Sequence, residues 1–304
     1  MTIDMRNEGA PEPTASRAIT IEITGSVPEG ASLLVPRPFE HWGERFVRFE
    51  TTGVSAVEEV EATNSRCHAY WLTPAGETPP SLRYTFVMND SPAPNWVWQE
   101  QQNRHTTAAP DLVTLAKQLA EGSTTERAAL RRLIDNAAGI FDYGHVDETF
   151  NEGADEVPML CGTTRGSCVD INTYLLAAAR SLGIRGQYIA GYWFHPEKTT
   201  TADMHCWLAF EPDGKLVFWD LAHALKWRAT LGASIQEGLN PAGGRRVGMS
   251  CGRGLLFDTA HGPVEISHFS EPVWIRDGEI LPRADVKIHV DDPDGLRTQT
   301  PIAA

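Results

Sequence analysis

The 304-residue chain is 41% hydrophobic and 22% charged, with a formal net charge of -14, as expected of a soluble globular protein of about two domains. That charge argues against a nucleic-acid partner, because phosphate binding needs clustered Lys and Arg. No apolar run approaches the roughly 20 residues a membrane helix needs, and "MTIDMRNEGAPEPTASR" has no apolar h-region of a secretory signal. Five scattered cysteines, Cys67, Cys161, Cys168, Cys206 and Cys251, do not make a disulfide framework. A cytoplasmic protein with reduced thiols and no membrane partner is expected.

Residues 1–17 are polar and read as a flexible N-terminal tail. Residues 18–100 are β-rich, with strand candidates "AITIEITG", "ASLLVPRP", "ERFVRFET", "VEEVEAT", "HAYWLTP" and "LRYTFVM". Alternation in "ITIEIT" and "RFVRFE" fits half-buried strands, and the short spacing fits a small β-sandwich. "NDSPAPN" breaks the pattern and suits the start of a linker. The period turns helical at "DLVTLAKQLAEG", with Asp111 as N-cap and Gly122 as stop. In "STTERAALRRLIDNAAGIFDY", Ser123, Thr124 or Thr125 can cap, and Leu130, Leu133, Ile134 and Ala137 share a face. A loop, 144–166, leads to "TTRGSCVDINTYLLAAARSLGI". Strands "GQYIAGYWF", "MHCWLAF" and "KLVFWD" follow, then a Gly- and Arg-rich loop, "NPAGGRRVG", before "GLLFDTAHG" and "PVWIRDG". Residues 286–304 read as a disordered tail.

Ser167 is a good N-cap, Asp170 three residues later makes a near capping box, and Gly183 suits the C′ position. Cys168 therefore lies in a first helical turn, where unpaired N–H groups and the macrodipole favour an anion. A thiol there can have a lowered pKa and act as a nucleophile. A small buried hydrophobe and a metal ligand are the other readings. A general base is found in "MHCWLAFEPDGKLVFWDL". A four-residue loop, Glu211 to Gly214, would set His205 directly opposite Asp220, with Cβ atoms about 5 Å apart. A three-residue loop with a bulge at Gly214 would put the two on opposite faces.

These residues resemble the transglutaminase-like superfamily of papain-like cysteine enzymes. The resemblance rests on "GSCVDINTYLLAAARSLGIRGQYIAGYW", then "HCW", then "FWDL". It covers roughly residues 110 to 270. It implies an α+β fold: a papain-like transglutaminase core, with the helix-borne Cys packed on an antiparallel sheet carrying His and Asp, preceded by a small β-sandwich-like domain. The catalytic domain would span 108–285. The resemblance implies Cys168 as nucleophile, His205 as base and then acid, and Asp220 as its orienter, through a thioester acyl-enzyme. The N–H of Cys168 would serve the oxyanion hole, with Tyr143 or Trp193 as second donor. "RVGMSCGRG" is similar to a "GRD"-type segment, with Gly254 where Asp is usual.

Other groups have plain readings. Cys161, Cys168, His205 and Cys206 lack zinc-ligand spacing, so no metal and no cofactor are expected. His223 reads as a surface or loop histidine. Arg245, Arg246 and Arg253 read as a solvated basic cluster, or as a site for a substrate carboxylate or phosphate. "DDPDG" lacks the EF-hand spacing. Three functions remain: hydrolysis of an amide in a peptide, protein or small-molecule amide or thioester substrate; acyl transfer to an amine with the same triad; and a non-catalytic binding module. Oligomeric state is left open.

Overall fold

The structure, a computed structural model, describes residues 2–6, 16–40, 43–89, 93–99, 101–232, 234–239 and 243–291. It is α+β, as expected. Among the described residues, four helices gather on one side of a four-stranded antiparallel sheet. That sheet has the order Val217–Trp219, Met204–Phe210, Gly186–Phe194, Arg245–Cys251.

Helix α1 (Pro110–Ala120) starts with Pro110 at its first position, where a missing N–H costs nothing, so Asp111 sits inside the first turn rather than at the N-cap. Helix α2 (Glu126–Ile140) is capped by Thr125, whose side chain accepts from Ala128 N–H at 3.1 Å. Helix α3 (Cys168–Ser181) is the central element, buried on nearly every side. Its neighbours include Leu112, Leu130, Ile134 and Leu208. Helix α4 (Leu221–Leu231) ends at Gly232, whose φ of 59° is the left-handed C-terminal conformation.

The six N-terminal strand candidates all form strands, divided between two sheets. One has the order Thr2–Arg6, Gly43–Thr52, Ser81–Asn89, Ser16–Thr24, Asp285–Asp291, Thr200–Thr201. The other has Glu279–Ile280, Val273–Arg276, Ser32–Arg37, His68–Pro74, Val54–Glu61. Ile19, Leu33, Phe46, Phe49, Leu72 and Tyr84 fill the space between them. The sandwich is thus not built from one continuous stretch. Residues 2–6, expected in a tail, pair antiparallel with Arg48–Thr52, because the alternating "TIDMR" meets an open strand edge. Residues 286–291, expected in the other tail, run beside Ala18–Ile23 for the same reason. The remaining tail residues, 1, 7–15 and 292–304, lie outside the described residues.

Tyr192, Phe194, Val247 and Met249 belong to the sandwich core although they sit on the four-stranded sheet. That sheet is therefore covered by α3 on one face and by β structure on the other. A bulge between Ala190 and Gly191 lets the strand Arg245–Cys251 close in on its neighbour. A Cβ on Gly191 would lie 2.0 Å from the Val247 carbonyl oxygen. Backbone cannot rotate out of the way, so Gly191→Ala is expected to lower stability by roughly 1–3 kcal/mol. The midpoint of urea unfolding measures this, and an unchanged midpoint would show that the strand can yield.

Candidate active site

Cys168 is held by a helix start that the sequence specifies. Ser167 Oγ accepts from Val169 N–H at 3.2 Å, and Asp170 Oδ2 accepts in return from Ser167 N–H at 2.8 Å. This closes the capping box. Asp170 Oδ1 also accepts from Phe150 N–H at 3.0 Å, which ties the preceding loop to the helix. The strand Phe141–Tyr143 pairs in parallel with Thr164–Gly166, setting Tyr143 opposite Gly166, two residues before Cys168.

His205 is placed by its register opposite Gly191. Asp220 is placed differently from the simple hairpin expectation. Phe210 pairs with Val217, so the connection is six residues long and folds around a short 3-10 turn, Pro212–Gly214. Parity is preserved, but the register moves by two. Asp220 is diagonal to His205 rather than opposite it, and it has already left the strand to become the N-cap of α4. Both carboxylate oxygens are used. Oδ1 accepts from His223 N–H at 3.0 Å, and Oδ2 accepts from His205 Nε2 at 2.7 Å. That leaves the other ring nitrogen of His205 for the thiol.

Arg246 completes the cluster. Its Nη2 donates to Asp220 Oδ2 and to the Leu239 carbonyl at 2.5 Å, and lies 3.1 Å from His223 Nδ1. His223 was expected on the surface. It is buried, and its ring stacks on His205 at 3.8 Å and 10°. It was missed because α4 was not recognised: "LAHALKWRATLG" is short, and its apolar positions lie too close together for a clear stripe. The Gly232 stop was the available signal.

The protonation states follow from these contacts. A hydrogen bond from Cys206, then the hydrogen bond and charge of His205, hold the Cys168 thiol well below its usual range despite burial. Burial opposes charge on His205, but the charge and hydrogen bond of Asp220, with Cys168 behind them, raise it to about 9. Burial also opposes the Asp220 carboxylate. The charges of His205 and Arg246, with the hydrogen bonds Asp220 accepts, outweigh it and keep that group ionised. Burial pushes His223 down to about 4, and the neighbouring cations His205 and Arg246 add to this. His223 Nδ1 also lies 3.1 Å from Asp220 Oδ2, so a neutral His223 with its proton on Nδ1 can donate to that carboxylate.

The remaining candidates separate. Tyr143 is half-buried, and burial together with the charge at Cys168 raises its hydroxyl pKa. Trp193 packs edge-on against His223 at 4.6 Å, but its Nε1–H donates to the Gly243 carbonyl at 3.1 Å. It walls the site rather than offering an oxyanion donor. Arg245 is fully buried and donates to Glu44 at 2.7 Å, on the sandwich side of its strand. Arg253 is buried beside His105 at 3.0 Å and over the Tyr188 ring. Neither arginine forms a solvated cluster or reaches the thiol: neighbouring strand positions point to opposite faces, which separates Arg245 from Arg246, and Arg253 lies beyond the strand's end at Cys251. His205, Asp220 and His223 bring possible ligand atoms within 4.8 Å of one another. Two of these three residues, Asp220 and His223, already have the Arg246 guanidinium within hydrogen-bond distance.

Residues 113–219 match the family model described as the transglutaminase-like superfamily. This stretch is transglutaminase-like. The match ends one residue before Asp220. A solved structure from Cytophaga hutchinsonii, provisionally assigned as a cysteine protease, shares the fold at a TM-score of 0.53 and 15% identity. The alignment covers 100% of this chain and 96% of that one. The periplasmic domain of TgpA from Pseudomonas aeruginosa aligns at a TM-score of 0.38 and 14% identity, over 71% of this chain and 91% of its own. No curated protein matches the sequence.

Arg246 neutralises a carboxylate that has no access to water. Removing one member of such a pair leaves the other charge uncompensated. Arg246→Met is therefore expected to cost roughly 3–5 kcal/mol in urea unfolding. A loss below about 1 kcal/mol would match an exposed pair and contradict this account of the cluster.

Proposed function

We propose that the protein performs cysteine-dependent acyl-enzyme chemistry, hydrolysing an amide bond in a peptide, protein or small-molecule substrate. The observation that carries this reading is the 2.7 Å contact of His205 Nε2 with Asp220 beside a helix-borne thiol. The Cys168 thiolate attacks the carbonyl carbon. The oxyanion is received by the Cys168 N–H at the helix start, with the Tyr143 hydroxyl as second donor. His205 gives its proton to the departing amine, leaving a thioester. Neutral His205 then takes a proton from water, which attacks the thioester and releases the acid and the thiolate. Asp220 holds the ring and stabilises its cation.

Transfer to an amine in place of water is the second reading. It is favoured by the aromatic wall of Trp193 and Trp227, whose rings lie 6.5 Å apart beside the site. Adding hydroxylamine to a turnover assay separates the two. A product dominated by hydroxamate at low amine concentration indicates transfer, and one dominated by free acid indicates hydrolysis.

The pH dependence tests the shared step. A free thiol of pKa about 8.5 loses alkylation rate about tenfold per pH unit below that value. Here the thiolate persists, so labelling of Cys168 by iodoacetamide should be nearly flat from pH 9 down to pH 6. His205→Ala should slow it at pH 6 by on the order of a hundredfold, as the thiol returns toward its ordinary pKa. Turnover should decline above about pH 9, where His205 loses its proton, while alkylation continues. Slow labelling spread over several cysteines of the unmodified chain would sink the enzyme reading and favour a binding module.

A further inference from the structure

The proposed reaction makes no use of Cys206. This residue follows His205 on the strand Met204–Phe210, and its side chain points to the other face, toward α3. Asn172 lies one turn after Cys168 on α3. Its Nδ2–H donates to the Cys206 carbonyl at 3.0 Å and to Cys206 Sγ at 3.3 Å. This fixes the Cys206 sulfur beneath the first turn of the helix, in the same buried cluster as Cys168, and an interaction between the two thiols lowers the pKa of Cys168 and raises that of Cys206. Accessibility differs between the two. Cys168 is 7% exposed and Cys206 is 0% exposed. A small oxidant reaches the first and not the second.

We propose that Cys206 is a resolving thiol: a hydroperoxide oxidises Cys168 to a sulfenic acid, and Cys206 closes a reversible disulfide that switches the site off. In the first step the Cys168 thiolate attacks one peroxide oxygen. An S–O bond forms, the O–O bond breaks, sulfur is oxidised and the peroxide is reduced, leaving as hydroxide that takes up a proton. In the second step Cys206 attacks the sulfenyl sulfur. An S–S bond forms, the S–O bond breaks, and the leaving hydroxide departs as water with the Cys206 proton. Two thiols and one hydroperoxide give one disulfide and two waters (water and an alcohol for an alkyl hydroperoxide). A dithiol reductant reverses the change. Without a resolving thiol the sulfenic acid would proceed to an irreversible sulfinic acid.

The proposal rests on Cys168 being an activated thiolate, and the test separates the two claims. The full-length chain is treated with stoichiometric hydrogen peroxide at pH 7 and blocked with N-ethylmaleimide, then mapped without reduction. The expected result is a Cys168–Cys206 cross-linked peptide, loss of iodoacetamide labelling at Cys168, and full recovery with dithiothreitol. Cys206→Ala should instead trap dimedone at Cys168 and, under further peroxide, gain two oxygens there with no recovery. Fast alkylation at pH 6 but a dimedone adduct or sulfinic acid in the unmodified chain would overturn the resolving role alone. Slow alkylation with no cross-link would overturn both claims. A cross-link confined to Cys67 and Cys251, whose sulfurs lie 3.5 Å apart elsewhere in the core, would also overturn it.

Discussion

Four buried charges of alternating sign organise this structure. The Arg246 guanidinium meets the Asp220 carboxylate, which meets the His205 imidazolium, which meets the Cys168 thiolate. Each would be costly to bury alone. In this order each charge has an opposite neighbour, and the four sum to zero. His223 lies against this line but carries no charge. A second imidazolium stacked 3.8 Å from the first would place like charges in contact. Neutral, it fills the space beside Arg246 and Asp220.

The local structure supplies each charge from a different element. Cys168 comes from the N-terminus of α3, His205 from a central strand, Asp220 from the N-terminus of α4, and Arg246 from a strand brought close by a bulge. Two of the four sit at helix N-termini, where the macrodipole favours negative charge, and those two are the anions. The bulge is possible because Gly191 has no side chain to hold the strands apart. The other face of the sheet packs on the sandwich, so the bulged strand is pressed into place from behind.

Much of this was legible in the sequence. The capping box, the C′ glycine and the N-terminal strands depend on neighbours within a few residues, and local chemistry specifies them. The facing of His205 and Asp220 was legible in parity but not in register. Glu211–Gly214 carries strong turn signals, yet Lys215 and Leu216 also leave the ladder, which no turn propensity records. The arginines were read as one cluster because they are close in sequence. Three buried partners far along the chain, Glu44, Asp220 and His105, divide them. Contacts across such distances are decided by packing, and a single sequence does not show them.

The stretch that matches the transglutaminase-like model is therefore smaller than the unit that would do the chemistry. Residues 113–219 hold the thiol and the imidazole but stop short of the carboxylate. Arg246, which with His205 keeps that carboxylate ionised, lies further on. Its strand is backed by residues of the sandwich, and the sandwich is closed by strands from both ends of the described chain. Two sheets of β structure thus have a direct chemical consequence. They hold one strand against Gly191, that strand holds a guanidinium on Asp220, and Asp220 keeps His205 charged beside the thiolate. Loosening the sandwich would alter the surroundings of Cys168 without touching it.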